Sequence, residues 1–180
     1  MIRAFLALPL PDTLIHRLTV LQHGLRLTDP VPRENLHLTL VFLGEQREPD
    51  LEDLHIALDN RRLEAPELQL TGLDVFGGQM PRNLHATFAL TPGLKALQAK
   101  VTQLARHSNI AIKARKFVPH VTLARFAEGE ASAPELAARI QQQGAVQSDP
   151  YLIPEMVMFR SILRASGPVY DPLASYPLLP

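Results

Sequence analysis

Glu34-Asn35-Leu36-His37-Leu38-Thr39-Leu40-Val41-Phe42-Leu43-Gly44 alternates polar and apolar side chains and stops on a glycine, which is the period of a half-buried strand. Its core returns downstream as Phe117-Val118-Pro119-His120-Val121-Thr122-Leu123-Ala124-Arg125. In each stretch a histidine and the threonine two residues on share one face, while Leu38 and Leu40, or Val121 and Leu123, share the other. One face can pack and the other can do chemistry. Imidazoles titrate near neutrality, so two of them make an acid and base pair suited to a phosphate, one taking a proton while the other gives one.

His37 and His120 stand 83 positions apart, and the same shift lays Phe5 on Phe88, Pro9 on Pro92, Leu14 on Leu97, Leu18 on Val101, Leu21 on Leu104 and Phe76 on Phe159. A constant offset predicts two copies of one β-α-β-α-β unit, about residues 1–83 and 84–166, in a single bilobal domain with a pseudo-two-fold axis. Each copy opens with a strand, at 2–8 and 85–90. The first helix of each follows, on Leu14, Leu18, Leu21 and Leu25 and on Leu94, Leu97, Val101 and Leu104. After each histidine strand comes a second helix, on Leu51, Leu54 and Leu58 and over 131–143, and then a strand at 67–76 and 150–163. The Pro-rich tail 168–180 is expected to end in one more short strand.

A chain of 180 residues is long enough for a substantial core. The absence of cysteine removes thiol nucleophiles, disulfides and thiolate-bound metal, and suits a reducing, cytoplasmic setting. The apolar start Ile2 to Leu8 meets Pro9 and Pro11 too early for a spanning helix, so no membrane partner is expected. A net charge of zero argues against a general duplex binder. The charge is unevenly spread, however. Val75 to Ala127 holds no acidic residue but carries Arg82, Lys95, Lys100, Arg106, Lys113, Arg115, Lys116 and Arg125 around the second histidine unit, a setting for a local anion site.

His-x-Thr is a weak motif by itself, expected roughly a third of a time in a chain of this composition. The third occurrence, His85-Ala86-Thr87, falls on the opening strand of the second copy rather than on a histidine strand, and reads as a surface or strand-edge residue. His16, His23, His55 and His107 have no counterpart under the offset and read as exposed helix residues. A metal site lacks a third ligand near the paired histidines, and a Ser-His-Asp triad lacks its strand-to-helix elbow. No cofactor is implied.

Asn35-Leu36-His37-Leu38-Thr39-Leu40 with Phe42-Leu43-Gly44, and Pro119-His120-Val121-Thr122-Leu123-x-Arg125, resemble the paired signatures of the two-histidine phosphoesterase superfamily. Within it they are most similar to the RNA 2',3'-cyclic phosphodiesterases, also called 2'-5' RNA ligases. Arg3 to Pro11 and Phe159-Arg160-Ser161-x-Leu163 resemble that family's first and late strands, so the likeness spans nearly the whole chain. It implies an α+β fold with two lobes, each an antiparallel sheet with helices on its outer face, around a central cleft. It also implies metal-independent hydrolysis of a terminal 2',3'-cyclic phosphate on RNA to a 2'-phosphomonoester. His120 would be the proton acceptor and His37 the proton donor, an order that the residues themselves leave open. Thr39, Thr122 and Arg125 would hold the phosphate oxygens.

One departure is plain. Where the family carries an aromatic residue, often Trp, this chain has Leu84-His85-Ala86, leaving base stacking to Phe42, Phe76, Phe117 or Phe159. Rival readings are a cyclic phosphodiesterase for a small nucleotide or an ADP-ribose cyclic phosphate, reversible 2'-5' RNA ligation, and an RNA-end binding module without catalysis. A monomer is expected, because an internally doubled chain supplies the symmetry that a dimer would.

Overall fold

The computed structural model describes residues 1–165 and 167–180. In chain order the elements are β1 (Ile2–Pro9), α1 (Asp12–Gly24), β2 (His37–Gln46), α2 (Glu48–Asp59), β3 (Glu67–Leu68), β4 (Leu70–Phe76), β5 (Asn83–Phe88), α3 (Pro92–His107), β6 (His120–Arg125), α4 (Ala133–Gln142), β7 (Tyr151–Leu152), β8 (Glu155–Arg164) and β9 (Gly167–Pro177). β1 is an almost unbroken apolar run because it lies inside a sheet ordered β2-β1-β8-β9, buried from Ala4 to Leu8. A second sheet is ordered β4-β5-β6, and β3 pairs with β7. All pairings within these sheets are antiparallel. The fold is α+β, with the histidine strands β2 and β6 lying against each other between the two sheets. No helix is long and apolar enough to cross a membrane among the described residues.

The two sheets are not the two halves of the sequence. β4, from the first half, joins β5 and β6, whereas β8, from the second half, joins β1 and β2. The cause is local. The short turn after β4 forces it to pair with its sequence neighbour β5, and Gly77 is needed there because a Cβ would fall 2.3 Å from the Met80 carbonyl oxygen at φ +113. The helices cross over as well. Gln22 of α1 donates to the carbonyls of Val31 and Leu123, each at 2.9 Å, and Gln98 of α3 reaches the Leu40 carbonyl at 3.5 Å.

The uniform offset also fails at one element. Ala7 stands opposite Thr39 and Phe5 opposite Phe159, whereas His85 stands opposite Thr122 and Asn83 opposite Phe76. β5 therefore matches β1 at 78 residues, while β6 and β4 match β2 and β8 at 83. The five residues go into the connection to α3, which gains a turn that begins with Thr91 as N-cap, its hydroxyl accepting from Leu94 N–H at 3.2 Å, and Pro92 in the first turn. The tail departs from expectation too: β9 is an eleven-residue edge strand rather than a short one. An edge tolerates Pro168, Pro172 and Pro177 because only one side of the strand must donate.

Candidate active site

β2 and β6 each carry a bulge at the same place. Pairing skips Leu40 between Val41 and Thr39, and Leu123 between Ala124 and Thr122. The inserted residue reverses the alternation beyond it. Leu40 and Val41, like Leu123 and Ala124, are buried in succession, and Phe42 and Arg125 emerge exposed. By strict alternation Arg125 would share the buried face of Leu123. The bulge turns it out instead, and its charge is felt at His37.

The two imidazoles are held in the same way. His37 Nδ1–H donates to the Asn35 carbonyl at 2.8 Å, and His120 Nδ1–H to the Val118 carbonyl at 2.7 Å. In both cases the backbone two residues upstream fixes the ring and leaves Nε2 for other partners. His37 Nε2 lies 3.1 Å from Thr39 Oγ1, so the threonine hydroxyl can donate to it. Asn35 is itself fastened by its side-chain amide, which donates to the Pro168 carbonyl at 2.9 Å.

The surroundings differ. His37 is stacked on Phe5, with centroids 5.0 Å apart, and meets Tyr170 edge-on at 5.2 Å. Phe159 completes this apolar wall 5.3 Å from Phe5. Burial is the main reason His37 is held down at about 4; the Asn35 carbonyl partly opposes this, and the charges of Arg125 and His120 add to it. Arg125 and His120 lie on β6, so the field that reaches His37 comes from the opposite sheet. His120 meets Phe76 and His85 edge-on, both at 5.1 Å.

His85 is the residue that sequence reasoning misplaced. It is 1% exposed, in the middle strand of its sheet, and stacked under Phe76 at 4.1 Å. The third His-x-Thr was the available signal, hidden by the five-residue slip. His16, His23, His55 and His107 are exposed on helices. Lys113, Arg115 and Lys116 are exposed on the segment entering β6, while Lys95, Lys100 and Arg106 ride on α3. Of the aromatic candidates, Phe42 is 68% exposed beside Phe5, and Phe117 packs against the core instead. No cluster of three His, Cys, Asp or Glu side chains is formed among the described residues.

The arrangement sets two half-buried imidazoles, two hydroxyls and a guanidinium on strands that meet from opposite sheets. Such a site can grip an anion and move protons at both of its ends. The chain matches the model of the LigT like Phosphoesterase family over residues 8–85 and 89–170. It is 30% identical over 145 residues to an RNA 2',3'-cyclic phosphodiesterase of Aeropyrum pernix, covering 79% of this chain and 82% of that one. A Thermus thermophilus protein of the same description is 32% identical over 158 residues, covering 83% and 75%. Among solved structures, TT0787 of Thermus thermophilus superposes with a TM-score of 0.81 at 27% identity, covering 98% and 97% of the two chains. Escherichia coli LigT complexed with 3'-AMP has a TM-score of 0.80 at 24% identity, covering 98% of each chain and showing the shared fold.

Proposed function

Because the chain belongs to the LigT like Phosphoesterase family, we propose that it is an RNA 2',3'-cyclic phosphodiesterase that opens the terminal ring to a 2'-phosphomonoester. The observation that carries this reading is the matched tethering of His37 and His120, each pinned through Nδ1 to a backbone carbonyl, so that Nε2 is the nitrogen turned to other partners, Thr39 Oγ1 in the case of His37. In-line displacement at phosphorus puts nucleophile and leaving group on opposite sides, so base and acid must come from opposite walls. His120 Nε2 takes a proton from water as its oxygen bonds to phosphorus. His37 Nε2 gives a proton to the 3' oxygen as the bond from phosphorus to that oxygen breaks. Thr39, Thr122 and Arg125 donate to the non-bridging oxygens, on which the added charge accumulates.

To act as the donor, His37 must be loaded with a proton that burial disfavours in the free protein. The substrate phosphate brings the negative charge that offsets burial and the fields of Arg125 and His120. That same depression supports a second reading in which the roles are exchanged, with His37 as the base and His120 as the acid. The two differ in which histidine governs the acid limb of the pH profile.

The corresponding registers of the two sheets support an internal duplication, with β4 and β8 exchanged between the copies. An RNA oligonucleotide ending in a 2',3'-cyclic phosphate, assayed beside the cyclic mononucleotide, tests the substrate class. Faster turnover of the oligonucleotide with a bell-shaped pH profile is expected. Preference for the mononucleotide would favour the small-molecule reading, and binding without turnover would refute the enzyme.

A further inference from the structure

We propose that His85 is a positioning residue for the His120 half of the site, a neutral imidazole whose unshared lone pair stabilises the charge His120 gains when it takes the proton of the attacking water. The proposal rests on the reading of His120 as the base. Its starting point is an asymmetry. The residue opposite Thr39 is Ala7, a small core side chain, whereas the residue opposite Thr122 is His85, a buried polar ring.

The hydrogen bonds around His85 fix its tautomer. Asn83 Oδ1 accepts from the backbone N–H of Phe76 at 3.4 Å, which orients the amide so that its oxygen, not its NH2, faces inward. His85 Nδ1 lies 3.1 Å from the same oxygen and must therefore carry the proton that it donates. Nε2 is then a bare acceptor. Among the described residues it is the one buried side-chain nitrogen or oxygen without a hydrogen-bond partner. A ring needed only to fill space would be better served by an apolar side chain, because an unpaired buried acceptor has lost its water for nothing.

The neighbour that can make use of the acceptor is His120, 5.1 Å away with the planes at 67°. Phe76 stacks on His85 at 4.1 Å and meets His120 edge-on, so the three rings form one packed group. Burial above all, and then the charge of His120, hold His85 down at about 4 while Asp74 on β4 pulls the other way. Burial therefore keeps His85 the neutral member of the pair. Because His85 is itself buried, its fixed dipole is less screened than it would be in water. His85 gains and loses no proton in the reaction.

Replacing His85 by Phe keeps the ring and its stack on Phe76 while removing the lone pair. The expected result for His85→Phe is a plateau kcat lower by about fivefold, an acid limb of kcat/KM moved to lower pH, and a KM nearly unchanged. His85→Gln, whose amide oxygen restores an acceptor, should recover part of the rate. His85→Leu provides a second apolar variant if the first fails to fold, and melting curves separate folding from catalysis. A profile superimposable on wild type, a rate loss that tracks melting alone, or movement of the alkaline limb instead would overturn the proposal. Absence of wild-type turnover, or movement of the alkaline limb alone, would overturn the reading of His120 as the base, whereas an active wild type with both limbs unmoved overturns the role of His85 alone.

Discussion

Two half-sites built on one plan have been given opposite environments. Each has a histidine pinned to a carbonyl, a threonine two residues on, a bulge, and a phenylalanine from an exchanged strand, Phe159 in one and Phe76 in the other. Around His37 the remaining positions are Phe5, Ala7 and Phe42, walled by Tyr170 from β9. Around His120 the corresponding positions are Asn83, His85 and Arg125. The backbone plan is symmetric, and the side chains make one wall apolar and the other polar and cationic. A reaction that needs one proton removed and another delivered requires such a difference between otherwise equivalent groups.

The largest expected effect comes from deleting either imidazole. His37→Ala and His120→Ala should each lower kcat by about 10² to 10⁴-fold, read by steady-state turnover of a cyclic-phosphate oligonucleotide. Thermal melts should separate them, since His37→Ala leaves a gap among Phe5, Phe159 and Tyr170 while His120→Ala disturbs a more open ring. Equal activity in either variant would refute a paired role for the two histidines. Next in size is Arg125→Met, expected to cost roughly 10 to 100-fold in kcat/KM through lost charge-assisted bonds to the phosphate. The same change should make His37 easier to protonate, because one of the charges opposing it is gone.

His37 and His85 also leave a mark on stability. His37 and His85 are each lowered from 6.5 to about 4 in the folded protein, so between those values the unfolded chain binds more protons. Stability should therefore be complete above about pH 6.5 and fall as pH drops toward 4, by at most about 3 kcal/mol for each ring. Urea melts across this range should show a shallower dependence in His85→Phe than in wild type. An unchanged slope would mean that His85 is not held neutral by the fold. The smallest effect is expected from chelator: EDTA should leave turnover unchanged, and its abolition by EDTA would contradict a metal-independent pair.

Much of the site could be read from the chain because two-residue periodicity and repetition point to the same residues. His37, Thr39, His120 and Thr122 stand at the start of their strands, before the bulges, where simple alternation holds. Beyond Leu40 and Leu123 it fails, which is why the exposure of Arg125 follows from the pairing register and not from its spacing. His85 was hidden for a similar reason. Its place beside Thr122 depends on the length of the connection into α3, and similarity of residues at a fixed offset carries no information about such a slip. Tyr170 and Phe5 reach His37 only through long-range pairing of β9, β8 and β1, and a Pro-rich tail gives little sign of an eleven-residue strand.

In the proposed site a phosphate sits between a base on one wall and an acid on the other, so that only one of its two ring bonds lies in line with both. Phosphorus-31 NMR of the product from an oligonucleotide 2',3'-cyclic phosphate tests this directly. The 2'-phosphomonoester is expected as the sole product; a mixture of 2'- and 3'-phosphates would rule out a single in-line geometry.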